Sequence, residues 1–327
     1  MKISTTHCML ALGVLLGLPA SHAQTGANYP NRPVTFIVPY SPGTGIDIVA
    51  RTIGPRLSEK WGQPVVVDNK PGASGNIGAE AVARSAPNGY TLMVNAGTLT
   101  ITPALFRNMP YDVANDFTPV IKLGLAGNAL VVNPAVLPAG DFNAFLAAVR
   151  SNQGKLYYSS PGNGTPHHLG MEFLKLRLGL QIGHVPYKGL AGAMTDLLGG
   201  QVQMMFTLVP SALPQTRAGK LRVLAVTGTG RTPLMPEAPT FREQGIDFMD
   251  GLDAWYGLLG PAKLPPDIVA RLNADSRSVI AVPAVREILL KQGIVPVTST
   301  PEELAALIKA ELVSWAKLVQ DAKISLD

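Results

Sequence analysis

Short apolar runs alternate with amphipathic stretches along almost the whole chain. The runs predict strands at residues 34–38, 64–68, 91–95, 120–123, 129–132, 155–159, 182–185, 203–207, 222–226, 255–259 and 295–297. Apolar positions at helical spacing predict helices at 45–61, 74–84, 142–151, 167–178, 191–198, 213–218, 266–279, 283–292 and 301–323. Strands separated in this way by helices give an α/β protein with mainly parallel sheets. The last helix is the clearest. Thr300-Pro301-Glu302-Glu303 starts it with a capping residue, a first-turn proline and two acids. Leu304, Leu307, Ile308, Leu312, Trp315 and Leu318 then mark a core-facing stripe that takes in Trp315.

Two stretches break this alternation and look like crossings between lobes: Gly124-Leu125-Ala126-Gly127-Asn128 and Asp250-Gly251-Leu252-Asp253. With both as hinges, one lobe is built from the two chain ends (residues 28–126 and 253–327) and the other from the middle (127–252). Small-molecule sites favour such a boundary.

The first residues stand apart from this pattern. Met1-Lys2, an apolar run over residues 9–18 and Ser21-His22-Ala23 read as a signal peptide cleaved after Ala23. The apolar run is too short to span a bilayer. The single cysteine, Cys8, falls inside this leader, so the expected exported chain has no disulfide, thiol nucleophile or lipid anchor. Removing 23 of the 327 residues leaves 304, enough for two ordinary domains, and loss of Lys2 lowers the net charge from +5 to +4. The remaining basic residues are dispersed, which argues against nucleic-acid binding.

Three strand-to-helix turns share one composition: residues 40–47, residues 69–78 and residues 159–168. Their glycines expose main-chain N–H groups, and Thr44, Ser74, Ser160 and Thr165 add hydroxyls. Apart from Lys70 they offer no cation. An anion held there would be held by backbone dipoles and helix N-termini, and the first turn is where the ligand is expected. Capped turns of this kind also occur for purely structural reasons. Asp47 reads as a first-turn acid stabilising its own helix more than as a ligand contact. Farther on, Tyr187 could close over a ligand, and Lys188 could pair with a carboxylate or sit in solvent.

Other chemistries fit poorly. Gly43-x-Gly45 follows a strand, but the third glycine of a dinucleotide fingerprint falls at Ile48. Gly72-Ala73-Ser74-Gly75-Asn76 misses the Gly-x-Ser-x-Gly elbow by its last residue. His167 and His168, adjacent on a helix, point about 100° apart and cannot both face one metal. The expectation is a non-enzymatic protein without metal or cofactor.

These segments together resemble the Bug-type extracytoplasmic solute receptors of tripartite tricarboxylate transporters. The likeness runs through Tyr29-Pro30-x-Arg32-Pro33-Val34, residues 39–51, Val67-Asp68-Asn69-Lys70-Pro71-Gly72, Ala86-Pro87-Asn88-Gly89-Tyr90-Thr91-Leu92, residues 159–169, Val185-Pro186-Tyr187-Lys188-Gly189 and residues 218–226. The resemblance implies a two-lobed periplasmic-binding-protein fold (Venus-flytrap, type II-like), each lobe a mainly parallel sheet flanked by helices. It implies a monomeric periplasmic receptor that closes on a small organic acid and hands it to membrane permease subunits. By position, Tyr40, Gly43, Thr44, Ser74 and Thr98 would face the ligand from one lobe, and Ser160, Thr165, His168, Tyr187 and Gly189 from the other. This chain departs from the family pattern at Thr44, where glycines are usual, and at Gln203 and Thr207, where acids are common. The latter predicts poor binding of amino acids. A sensor that signals to a membrane kinase would use the same cleft, and a periplasmic hydrolase would need Ser74 or His168 for turnover.

Overall fold

The computed structural model describes residues 29–324; the expected leader, with Cys8, lies outside them. In chain order the elements are β1 (Val34–Val38), α1 (Gly45–Trp61), β2 (Val65–Asn69), α2 (Asn76–Ala83), β3 (Thr91–Ala96), α3 (Thr98–Leu105) and β4 (Phe117–Ala126). There follow β5 (Asn128–Val132), α4 (Phe142–Ser151), β6 (Tyr157–Ser160), α5 (Pro166–Leu178), β7 (Gly183–Pro186), α6 (Leu190–Leu198), β8 (Met204–Leu208), α7 (Val209–Arg217) and β9 (Arg222–Val226). The chain ends with β10 (Ala254–Pro261), α8 (Pro266–Ile280), α9 (Pro283–Lys291) and α10 (Pro301–Asp321).

The strands form two five-stranded sheets of matching topology, β2-β1-β3-β10-β4 and β7-β6-β8-β5-β9. In each, four strands run one way and one is reversed: β10 is antiparallel to β3 and β4, and β5 to β8 and β9. Both sheets are covered on both faces. Val34, Phe36 and Val38 of β1 enter one apolar cluster while Ile37 enters another. Met204 and Phe206 of β8 likewise part from Met205. Side chains alternate across a strand, so a sheet clothed by helices on both sides reads as a continuous apolar run.

The chain leaves the first sheet through Gly127 and returns just before β10. The two crossings touch: the Asn128 side-chain amide donates to the Leu252 carbonyl at 2.7 Å. A further apolar cluster joins the lobes, with Ile101 and Leu105 of α3, Trp315, Leu318 and Val319 of α10, and Leu169 of α5. Trp315 is therefore core, as its spacing suggests, but core shared between lobes.

Several elements differ from the sequence reading in extent, β4 and α7 being longer than expected, and three differ for an identifiable reason. Residues 295–297 make only a single bridge, Val295 with Leu125, because Pro296 has no N–H with which to extend a ladder. The helix expected from residue 74 begins at Asn76, since Ala73, Ser74 and Gly75 adopt φ of 46°, 57° and 93°. Helix α3 was not expected at all. Its Thr98-Leu99-Thr100-Ile101-Thr102 alternates like a strand, and packing of Ile101 and Leu105 on α10 overrides that preference.

Candidate functional site

The first strand-to-helix turn is organised around a carboxylate of its own. Gly43, at φ 83°, turns its N–H onto Asp47 Oδ2 at 2.9 Å. Asp47 Oδ1 accepts from the Asn69 amide and from Arg51 Nε, both at 2.9 Å. Burial pushes the Asp47 carboxyl up, but the Gly43, Asn69 and Arg51 bonds together outweigh it and hold it below the ordinary range. The Thr44 hydroxyl donates to the Ser41 carbonyl at 3.1 Å. The Gly43 amide is thus already taken by a resident anion.

What this turn offers the cleft is Tyr40. Asn69 holds the Tyr40 carbonyl at 3.0 Å. The Tyr40 hydroxyl lies 2.8 Å from Thr98 Oγ1 and 3.1 Å from the Ser74 carbonyl. The second turn reaches the same place through its left-handed backbone at Ala73 and Ser74. Non-glycine residues persist there only when their surroundings enforce it, and the Tyr40 contact to the Ser74 carbonyl is such a constraint.

The third turn is cross-braced. Thr165 caps α5, accepting from the His168 N–H at 3.3 Å and donating to the Gly162 carbonyl at 2.8 Å. His168 Nδ1 accepts from the Gly164 N–H at 3.0 Å, so its proton sits on Nε2. Its ring stacks on His184 with centroids 4.1 Å apart, and His184 stacks on Tyr158 at 4.7 Å. Burial lowers the pKa of both histidines, that of His184 to about 4. Ser160, fully buried, lies 2.7 Å from His184 Nε2 and accepts from the Gly162 N–H. Tyr187 turns to α6, donating to Asp196 at 2.5 Å; burial, then the Asp196 bond and charge, push its pKa up to about 12. Gly189, at φ 141°, precedes α6.

Tyr40, Ser74 and Thr98 from one lobe and Thr165 from the other line a single cavity of about 190 Å³ between the lobes. Gly43, Thr44, Ser160, His168, Tyr187 and Gly189 do not line it. The sequence reading missed Thr102 of α3, Asn163 and Gly164 as lining residues. The Thr98-x-x-x-Thr102 spacing, read as one helix face, could have pointed to the first. No basic side chain lines the cavity. Among the described residues no cluster of metal-ligating side chains occurs, and no helix is long and apolar enough to cross a membrane.

The match to known proteins agrees with this architecture. Residues 49–324 fit the model of the tripartite tricarboxylate transporter family receptor. The chain belongs to this receptor family. BugT of Bordetella pertussis is 33% identical over 99% of the chain and 100% of its own length. Among solved structures, Rpa4515 of Rhodopseudomonas palustris with adipate superposes with a TM-score of 0.76 at 34% identity, covering 91% of this chain and all of that one. MatC of the same organism, with bound malate, gives a TM-score of 0.71 at 32% identity over 89% of this chain and all of that one. The receptor therefore has the two-lobed solute-binding fold that its sequence resembles.

Proposed function

We propose that this receptor is exported to the periplasm by a leader ending at Ala23 and binds a small organic carboxylate in the inter-lobe cavity. The observation that carries the reading is the convergence of Tyr40, Ser74 and Thr98 with Thr165 around one space of about 190 Å³. The Ser74 and Thr98 hydroxyls and the main chain of the amide-rich turns supply donors without a lysine or arginine, as a carboxylate held by dipoles requires, while the Tyr40 and Thr165 hydroxyls are turned to protein acceptors. Adipate and malate in two relatives support this ligand class. Gly43, Thr44, Ser160, His168, Tyr187 and Gly189 serve in this reading as braces that fix the turns.

The two crossings at Gly127 and at residues 250–253 act as hinges between the lobe of residues 28–126 with 253–327 and the lobe of residues 127–252. Closure buries the anion, and the closed monomer delivers it to the permease of a tripartite transporter. A thermal-shift screen of mono-, di- and tricarboxylates, aromatic acids and neutral amides tests the ligand class. A bound ligand at roughly 100 times its Kd adds about 2.7 kcal/mol of stability, so a carboxylate should raise the melting temperature by several degrees. A response to neutral amides alone contradicts the proposal.

A further inference from the structure

Helix α3 gives the cleft cavity a direction. Thr98, Ile101, Thr102 and Leu105 all line it, and their spacing puts the four on one face of the helix. Phe106, the residue at which the helix ends, lines it as well. The cavity therefore runs along α3 from its first turn to its last, roughly 10 Å at 1.5 Å of rise per residue.

The two ends of this path differ in chemistry. At the first end the Tyr40 hydroxyl lies 2.8 Å from Thr98 Oγ1 and 3.1 Å from the Ser74 carbonyl. Thr98 accepts in that contact and keeps its own proton for a ligand. The N-cap of α3 is Gly97, which brings no side chain to the first amides of the helix. At the second end stand Leu105 and Phe106, both packed with the apolar cluster that joins the lobes. Between the ends, the Thr102 hydroxyl is turned back on its own helix and donates to the Thr98 carbonyl at 2.7 Å.

The facing lobe adds little that would match a charge. The Gly164 N–H donates to His168 Nδ1 and the Thr165 hydroxyl to the Gly162 carbonyl. Asn163 contributes a neutral amide and Pro166 an apolar wall.

A carboxylate at Thr98 thus meets hydroxyl donors and the positive end of the α3 dipole, whereas one at Leu105 meets apolar side chains and the negative end. Taking a charge out of water without donors to match it costs far more than burying a methylene gains. No basic side chain lines the cavity to offset that cost.

We infer that the cavity selects a monocarboxylate with an apolar tail, its carboxylate at the Tyr40–Ser74–Thr98 end and its tail along Ile101, Leu105 and Phe106, and that Phe106 sets the preference for an uncharged far end. This assignment rests on the proposal that the cavity holds a carboxylate, and it narrows that class to acids with a single charge.

Calorimetry with acids matched in carbon skeleton tests it: hexanoate against adipate, and 4-methylbenzoate against terephthalate. In whichever pair binds more tightly, the monocarboxylate should be favoured by at least about 10-fold. Phe106→Ala, which removes part of the apolar wall, should weaken the monocarboxylate about 10-fold and the diacid less, so that the ratio narrows. Phe106→Lys, which offers the far end a cation, should reverse the order within the pair. A diacid that binds wild type as tightly as its partner, or a ratio that neither variant moves, overturns the tail assignment while leaving the carboxylate cleft standing. Binding by none of the four acids overturns it too, and the cleft reading falls with it where no other carboxylate raises the melting temperature.

Discussion

Asp47 Oδ2 lies 2.9 Å from the backbone nitrogen of Gly43. The Gly43 amide, which looks in sequence like part of an open anion site, is filled by a side chain four residues on, tied also to Arg51 and Asn69. Asp47→Asn removes the charge but keeps the shape. It should destabilise the protein by about 1–3 kcal/mol, which at about 2–4 °C per kcal/mol is a visible drop in melting temperature. The carboxyl is held below its ordinary pKa, so its contribution is present above the unfolded value of about 3.9 and is lost as pH falls through the folded value. Melting curves of both proteins should therefore differ fully at neutral pH and converge in acid. A gap that stays constant down to the acid limit contradicts this account of the turn.

Glu311 behaves in the opposite sense. Burial raises its pKa to about 7, against the bonds from Thr100 and Trp255 and the attraction of Lys122. An acid whose folded pKa lies above its unfolded value binds its proton more tightly when folded. Stability should therefore fall as pH rises from about 4.5 to 7, by something on the order of 3 kcal/mol. Glu311→Gln should abolish that part of the pH dependence. Parallel curves for the two proteins across this window would show that the carboxyl does not carry it.

Two threonines of similar sequence context should respond differently. Thr165 caps a helix and lines the cavity, whereas the Thr44 hydroxyl reaches only the Ser41 carbonyl. Thr165→Val should cost about 1 kcal/mol of stability through the lost cap and, by releasing the Gly162–Thr165 turn that walls the cavity, weaken carboxylate binding about 10-fold. Thr44→Val should leave affinity within about 2-fold. Equal losses would place the first turn in contact with the ligand after all.

The strands were legible because both sheets are buried on both faces, so that Met204, Met205 and Phe206 are apolar in succession although they face opposite sides. Helix α3 was not, because its threonines and isoleucine favour extended backbone, and what holds it helical is α10, some two hundred residues later. The amide-rich turns were legible from glycine and hydroxyl content. Which amides are spoken for was not, since that depends on where Asp47, His168 and Asn69 point once folded. The buried contact of Trp255 and Thr100 with Glu311 left no local signal, because the three meet only in the tertiary structure.

The central claim is that an anion sits between Ser74 and Thr165 and is held by hydroxyls and amides. Ser74 is exposed and has φ 57°, a conformation that aspartate tolerates better than most residues. Ser74→Asp therefore places a negative charge in the cavity wall at little cost to the fold. Calorimetric titration of wild type and this variant, with whichever carboxylate most raises the melting temperature, is the direct measurement. Affinity should fall at least about 100-fold, roughly 2.7 kcal/mol, with the unliganded melting temperature nearly unchanged. Equal affinity in the two proteins would place the ligand elsewhere.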